Sequence, residues 1–211
     1  MSKSNSPFHP SSFKRKDESD DALFYQLPRL LIHVDEHASR ALAEYFGELL
    51  PGNGNLLDLM SAYRSHLPAG INYTSVTGLG MNEEELSNNK ELTGHLVHDL
   101  NKSPKMPFEK GQFDACILSF SFQYLTKPVE VLADVARVLK PGCTCHIAYS
   151  NRLFPTKAVF LWQVATDPQK GEYISVCLGE TGLFDAPETV QLVAPGEKYD
   201  PLYVLRAMRK E

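Results

Sequence analysis

Asp58 is the residue around which the chemistry of this chain can be organised. It lies near the end of an apolar run, Leu56, Leu57 and Leu59, which is typical of a buried parallel strand. A buried carboxylate is costly unless another group satisfies it. In open α/β sheets the first strand presents its ligand-binding turn at its C-terminal edge. Asp58 therefore predicts one of two roles: an acid that faces a bound cofactor, or an acceptor for amides of the following loop.

The turn after this strand, Met60 to Ser65, contains no glycine. Nucleotide-binding turns normally carry glycines, because a backbone without Cβ atoms can approach the ligand closely. Two interpretations follow, a cofactor site with an unusual turn or a fold that has lost its cofactor. The missing glycine fingerprint also makes a nicotinamide-dependent enzyme the weakest hypothesis for this chain.

Other small or polar residues stand at the ends of further strand-like runs. Gly80, Asp99 and Ser119 each follow or close such a run. Parallel strands end at the same edge of a sheet, and ligands bind outside that edge. We therefore expect these three residues to cluster with Asp58.

Helices with one apolar face separate these strands. The clearest stripe, at i, i+3, i+4 spacing, lies between Glu36 and Leu50, with Asp35 as a plausible N-cap. The patterns predict helices over about 36–50, 83–90, 126–139 and 155–165, and strands over about 55–59, 72–79, 92–99, 113–119, 143–149, 173–178 and 202–208. This alternation indicates an α/β fold with a mainly parallel seven-stranded sheet, helices on both faces and an antiparallel C-terminal edge hairpin.

Composition excludes several classes of protein. The 211 residues suit one domain, and 43% hydrophobic and 22% charged residues are ordinary for a globular protein. The net charge of -5, without a large basic block after residue 16, argues against nucleic acid as a partner. No apolar run approaches the ~20 residues that span a bilayer, so we expect no membrane association.

The four cysteines do not form a CxxC pair, which favours reduced core thiols in a reducing compartment. Cys143, Cys145 and His146 are no metal site, because on a strand the histidine points away from the two thiols. We expect no metal and a cytoplasmic location. Import into an organelle stays open because residues 1–16 contain no acid.

The chain divides into a tail and one domain. Residues 1–21 are polar and serine-rich, which predicts a flexible tail. The domain over 22–211 is predicted to contain a cap segment and helix (22–50), a binding core (52–150), and a C-terminal helix and hairpin (151–211).

Phrases in the middle of the chain resemble those of a known family. Phe113-Asp114, the segment 122–125 and Val138-Leu-Lys-Pro-Gly142 are similar to the core of the class I S-adenosylmethionine-dependent methyltransferases. Leu57-Asp-Leu59 resembles the first motif of that family. The resemblance covers roughly residues 52–150, and the RVLKPG phrase is its most specific element.

The longer stretch from Phe24 to Trp162 looks like a group of methyltransferase type 11-like proteins from algae, plants and bacteria. Those proteins carry a DLMS…SHLP turn and a QYLTKP…SNR.FPTKA segment. The resemblance implies a Rossmann-like methyltransferase fold that uses S-adenosylmethionine and releases S-adenosylhomocysteine.

The resemblance also implies which residues form the site. Cofactor contacts are expected from Asp58, Met60, Ser61, Ala62, Gly80, Met81, Asn82, Asp99, Leu100 and Ser119. Asp99 stands where the family often has an acid near the adenine amino group. Substrate contacts are expected from Tyr25, Phe120, Ser121, Tyr124 and Arg152.

The chain departs from the family pattern at two places. Met60, Ala62 and Arg64 stand at the three glycine positions of the first motif, and each added side chain narrows the approach to a ligand. Gly80 stands where the family usually has an acid that binds both ribose hydroxyls. Asn82 or a backbone group would have to replace that acid.

No residue identifies itself as a catalytic base. The candidates are His33, His66, His98, Tyr25 and Tyr124, although a lone histidine is usually structural. Methyl transfer to a good nucleophile depends mainly on alignment and desolvation. Two hypotheses lead: a methyltransferase acting on a small or partner-presented acceptor, and a non-catalytic binding or interaction module with a degenerate cofactor motif. The sequence indicates neither the acceptor nor the oligomeric state.

Overall fold

The computed structural model describes residues 7–196 and 198–211, which form a seven-stranded sheet with helices on both faces. The strands are β1 (Asn55–Ser61), β2 (Ser75–Gly80), β3 (Gly94–Val97), β4 (Phe113–Ser119), β5 (Leu139–Tyr149), β6 (Glu188–Val193) and β7 (Leu202–Met208). The helices are α1 (Asp21–Phe24), α2 (Glu36–Leu49), α3 (Glu83–Asn88), α4 (Pro128–Val138), α5 (Phe160–Val164) and α6 (Asp167–Thr181), with 3-10 turns at Pro10–Phe13 and Phe122–Tyr124.

The strand order is β3-β2-β1-β4-β5-β7-β6. Strands β1 to β5 run parallel, whereas β7 runs antiparallel to both β5 and β6. The predicted fold class, a mainly parallel sheet with an antiparallel C-terminal edge, is therefore confirmed.

Alternation along β1 explains the two layers of the core. Leu57 and Leu59 belong to the apolar cluster that α4 and α6 cover, whereas Leu56 packs in the cluster on the other face with Leu42 and Phe46 of α2. Successive side chains of a strand point to opposite faces, so each strand supplies both layers. The parallel strands thus lie buried, with their carboxyl ends at one edge of the sheet.

The predicted strand over 173–178 is wrong, because this run lies within α6. Its buried residues, Tyr173, Ile174, Cys177 and Leu178, follow helical spacing rather than alternation. A capping box between Thr166 and Gln169 begins the helix, and Gly182 in the left-handed conformation ends it. The partner of β7 in the edge hairpin is instead β6.

The predicted helix over 155–165 is also too long, since only Phe160–Val164 is helical. Backbone groups of the preceding turn bond to other parts of the chain. The Thr156 carbonyl accepts a hydrogen bond from the Asp17 amide (2.9 Å), and the Val159 amide donates to the Gln123 carbonyl (3.0 Å). These long-range bonds replace the first helical turn.

The predicted tail, residues 1–21, contacts the domain over part of its described length. Phe8 packs edge-on against Tyr173 at 5.2 Å between ring centroids, and Asp21 is buried. Residues 1–6 of that prediction lie outside the described residues. Within the described ranges, all four cysteines are free and no helix has the length and apolar character needed to cross a bilayer.

Candidate functional site

A cavity of about 210 Å³ lies at the carboxyl edge of the parallel strands. Its floor comes from the turns at 60–62, 80–82, 98–101 and 119–121, which follow β1, β2, β3 and β4. Its roof comes from residues 14–33, called the roof segment here, through Asp21, Tyr25, Arg29 and His33. Phe154 and its neighbours after β5 close one side.

The structure brings together most of the residues predicted for the cofactor. Nine of them line the cavity: Met60, Ser61, Ala62, Gly80, Met81, Asn82, Asp99, Leu100 and Ser119. The five residues predicted for the substrate line it as well: Tyr25, Phe120, Ser121, Tyr124 and Arg152. Of these fifteen residues, Asp58 is the one that does not line the cavity.

The first turn keeps the backbone conformation of a glycine turn without the glycine. Met60 has a φ of 56°, in the left-handed region, which costs a residue with a Cβ about 1–2 kcal/mol. Its half-buried side chain packs against the core cluster beneath the turn. The turn therefore retains its shape at the first glycine position, held by packing rather than by the freedom of glycine.

Asp58 lies beneath this turn and acts as its acceptor. The carboxylate, 2% exposed, receives hydrogen bonds from the hydroxyls of Ser61 (2.5 Å) and Ser65 (2.6 Å). Burial raises the pKa of Asp58 to about 7, although the two hydroxyls act in the opposite direction. Of its two predicted roles, this geometry matches the acceptor within the loop, with hydroxyls in place of the expected amides.

Two residues after α3 brace the same turn from outside. The Glu91 carboxylate accepts from the amides of Ser65 (2.6 Å) and His66 (3.1 Å), and the Asn89 side-chain amide donates to the Ala62 carbonyl (2.9 Å). Arg64, at the third glycine position, pairs with Glu91 at 3.4 Å and does not line the cavity. Only two of the three glycine replacements therefore face the ligand space.

The end of β2 has no room for a side chain. A Cβ on Gly80 would lie 2.2 Å from the Ser61 carbonyl oxygen, because a register shift in β1 brings that oxygen close. The Asn82 side chain is already occupied: it accepts from the Glu85 amide (2.9 Å) and donates to the carbonyls of Tyr25 (2.7 Å) and Gln26 (3.2 Å). Asn82 thus joins floor to roof.

Two polar groups at the ends of β3 and β4 differ in their hydrogen bonding. One Asp99 oxygen accepts from the amides of Asn101 (2.9 Å) and Lys102 (3.2 Å), which holds the turn after β3. The Ser119 hydroxyl is buried and has no hydrogen-bond partner within 7–196 or 198–211. A buried polar atom without a partner is uncommon, and a polar ligand in the cavity would satisfy it.

A buried ionic cluster fixes the roof segment. The Lys157 ammonium, fully buried, donates to the Ser19 carbonyl (2.8 Å) and lies 3.1 Å from the carboxylates of Asp17 and Asp21. The Arg15 Nη1 atom donates to both carboxylate oxygens of Asp21, at 2.7 and 2.8 Å. This cluster could not be predicted from the sequence, since its members are far apart in the chain and no local pattern joins them.

Arg29 brings an unpaired positive charge to the cavity. Its guanidinium lies 4.5 Å from the ring centroid of Phe24 and 5.0 Å from that of Phe154, both cation–π distances. No carboxylate of the described residues lies within 4.0 Å of it, although its backbone amide donates to Glu85 Oε1 at 2.6 Å. Arg29, Glu85 and Phe154 line the cavity as well, although no sequence motif indicates them.

The candidate bases fall into two groups. Four line the cavity, whereas His66 does not; it bonds to the Ser39 hydroxyl at 2.8 Å, and burial lowers its pKa to about 4. Burial raises the pKa of Tyr25, and it raises that of Tyr124 to about 12, so neither phenol ionises near neutral pH. Burial, with the Arg29 charge, lowers the pKa of His33. A neutral His33 imidazole is therefore available beside the cavity.

Comparisons with known proteins agree with this architecture. Residues 48–147 match the family model described as "Methyltransferase domain". A comparison with curated proteins finds no match. Among solved structures, a SAM-dependent methyltransferase from Aquifex aeolicus superposes with a TM-score of 0.56 and 21% identity, over 96% of this chain and 99% of that one.

Two further structures show the range of proteins with this fold. Haemonchus contortus phosphoethanolamine N-methyltransferase 2, in complex with S-adenosyl-L-methionine, has a TM-score of 0.55 and 13% identity, over 81% of this chain and 52% of that one. The [4+2]-cyclase SpnF has a TM-score of 0.62 and 13% identity, over 80% of each chain. At these identities the superpositions show the shared fold alone.

Proposed function

We propose that this chain, whose residues 48–147 match the family model described as "Methyltransferase domain", transfers a methyl group from S-adenosylmethionine to a small or partner-presented acceptor. The observation that carries the proposal is the cavity at the strand ends, which collects nine of the ten residues predicted for the cofactor. Ligands of open α/β sheets bind at this edge.

The residues present fit this cofactor. The turn at Met60 keeps a left-handed backbone, Arg64 is directed to Glu91 rather than into the cavity, and Ser119 offers a hydroxyl without a protein partner. Ala62 adds only a methyl group to the floor. These features support binding despite the missing glycines.

When bound, S-adenosylmethionine supplies a methyl group that its sulfonium already activates. The residues of this chain then have to align the acceptor and exclude water. The roof segment covers the cavity, and the neutral His33 can accept a proton from an acceptor group. Arg29, without a carboxylate close to its guanidinium, can hold an anionic part of the ligand or acceptor.

The surface of the roof segment supports an acceptor that a partner presents or that is itself apolar. Large apolar side chains stand exposed on this segment, Leu23 and Leu27 at 67% and 74%, together with Leu30, Leu31 and Ile32. Contiguous exposed apolar residues often mark interaction surfaces. The net charge of -5 supports an acceptor other than nucleic acid, and the buried free thiols support a reducing compartment such as the cytoplasm.

A second candidate function is binding of the cofactor, or of another ligand, without methyl transfer. Two observations favour it: a methionine occupies the first glycine position, and no cavity residue is an obvious strong base. The [4+2]-cyclase SpnF also superposes on this chain. This fold therefore supports more than one chemistry, and the site must decide the function.

Thermal unfolding with S-adenosylmethionine or S-adenosylhomocysteine tests whether the cofactor binds, which methyl transfer requires. At 100 times its dissociation constant, either ligand should stabilise the chain by about 2.7 kcal/mol. Incubation with radiolabelled S-adenosylmethionine and an acceptor panel then separates the two candidates: label transfer supports the enzyme, and binding without transfer supports the second candidate. No stabilisation at millimolar ligand would overturn the proposal.

A further inference from the structure

Glu85 is a buried carboxylate in the wall of the cavity. It lies in the first turn of α3, is only 5% exposed, and lines the cavity beside Gly80, Met81 and Asn82. Burial raises its pKa, whereas the Arg29 amide and charge lower it. A carboxylate removed from water in this way needs hydrogen-bond donors to offset its desolvation.

The structure supplies a donor to only one of its two oxygens. Oε1 accepts from the Arg29 amide at 2.6 Å. Oε2 has no hydrogen-bond partner in the part of the chain that the structure describes, and it keeps some accessible surface. An acceptor on a side chain that is 95% buried, at the edge of a ligand cavity, predicts a donor on the ligand.

The neighbouring residues cannot take this role. A side chain at Gly80 would collide with the Ser61 carbonyl at 2.2 Å, and the Asn82 amide is committed to Tyr25, Gln26 and the Glu85 amide. The sequence had left Asn82 or a backbone group as the substitute for the missing acid after β2. Glu85 has the free oxygen that Asn82 lacks.

We infer that Glu85 binds the ribose of S-adenosylmethionine, its Oε2 accepting a hydrogen bond from the ribose diol, an inference that rests on the proposed function. Ribose hydroxyls are donors, and a charged acceptor forms roughly twice as strong a hydrogen bond as a neutral one. The acid is thus displaced from the strand end to the following helix, which leaves Gly80 free to pack against the first turn.

The same carboxylate also holds the roof segment through the Arg29 amide. One residue therefore contacts the ribose with one oxygen and the roof with the other. Glutamine at this position would keep the side-chain shape and one acceptor oxygen but lose the charge. The substitution would therefore weaken binding of the ribose hydroxyls without leaving a void at position 85.

Calorimetry on the full chain tests the inference with S-adenosylhomocysteine and an analogue that lacks both ribose hydroxyls. Glu85→Gln should weaken binding of S-adenosylhomocysteine roughly 10-fold to 100-fold, the range of a hydrogen bond to a charged group. It should change binding of the analogue less than threefold. The matched control is Glu84→Gln, an exposed neighbour on the same helix, which should change neither affinity.

The other possible results of this titration would contradict the role of Glu85. Equal affinity of wild type and Glu85→Gln for S-adenosylhomocysteine would overturn this inference alone, and so would equal weakening of both ligands, which indicates a structural role. No binding by the wild type would overturn the proposed function with it. Should the variant fail to fold, the wild type is tested with the two ligands. It should prefer the ligand with ribose hydroxyls by 10-fold or more, and equal affinity for the two would overturn the inference.

Discussion

The floor and the roof of the cavity are built by different means. In the floor, several contacts lie within a single turn: Ser61 bonds to Asp58, three residues away, and Asn101 to Asp99, two residues away. Glu91 and Asn89, which follow α3, brace the first turn in addition. The roof depends on partners distant in the chain, since Lys157 binds Ser19 across 138 positions. The floor therefore depends on the sheet and on contacts within its turns, whereas the roof depends on side chains that only the folded domain brings together.

The largest expected effect tests whether the buried ionic cluster holds the roof. Lys157→Met leaves Asp21 buried with one fewer positive partner, and breaking a buried pair in this way costs about 3–5 kcal/mol. Urea unfolding measures the loss. The control is Lys102→Met, whose pair with Asp20 is exposed and should contribute nothing measurable. Similar losses for the two variants would show that the cluster does not hold the roof.

A second prediction tests the close approach of β1 and β2 in the floor. Gly80→Ala places a Cβ against the Ser61 carbonyl and should destabilise the fold by about 1–3 kcal/mol. Gly94→Ala, on the adjacent strand β3, meets no atom within 4 Å and is the matched control. Equal urea midpoints for the two variants would contradict the crowding at Gly80.

A third prediction concerns pH and the acid beneath the first turn. Folded Asp58 keeps its proton to about pH 7, whereas its ordinary pKa is 3.8. Between these values the folded state binds more protons, so its stability falls as pH rises, by up to about 1.4 kcal/mol per pH unit. Wild type should therefore lose stability relative to Asp58→Asn between pH 5 and pH 7.

The comparison within this pair removes contributions from other groups, such as His66 with its pKa near 4. Asp114→Asn is the control, because the Asp114 pKa is lowered and its carboxylate is ionised over the whole range. A stability difference between wild type and Asp58→Asn that does not change with pH would contradict a protonated Asp58.

The smallest expected effect concerns Arg64. Since its side chain is 45% exposed and pairs with Glu91 away from the cavity, Arg64→Gln should change stability by less than about 0.5 kcal/mol. S-adenosylhomocysteine affinity should stay within a factor of two by calorimetry. A tenfold change in affinity would place Arg64 in the site after all.

The sequence predicts the floor well because each of its residues follows a strand. Met60, Gly80, Asp99 and Ser119 stand at strand ends, and the sheet order then brings them together without further information. The hydrogen-bond partners of Asp58 could not be predicted, because they depend on the rotamers of two nearby serines. The local pattern defines the position of the acid but not its partner.

The ionic cluster of the roof and the strand that pairs with β7 could not be predicted from the sequence, for two physical reasons. Lys157 and Arg15 read as ordinary charged residues, because only tertiary contacts bury them. The run from Tyr173 to Leu178 has strand-like residue types, yet the cap at Thr166 and packing under the sheet make it helical. Tertiary packing overrides local propensity at such places.

The most direct test of the central claim is calorimetric titration of the wild-type chain and Ala62→Trp with S-adenosylhomocysteine. Ala62 lines the floor, so an indole there fills the ligand space while the sheet beneath it stays intact. We expect saturable 1:1 binding by the wild type and none by Ala62→Trp, with both variants folded by circular dichroism. Equal binding by the two, or no heat from the wild type at millimolar ligand, would contradict a cofactor site in this cavity.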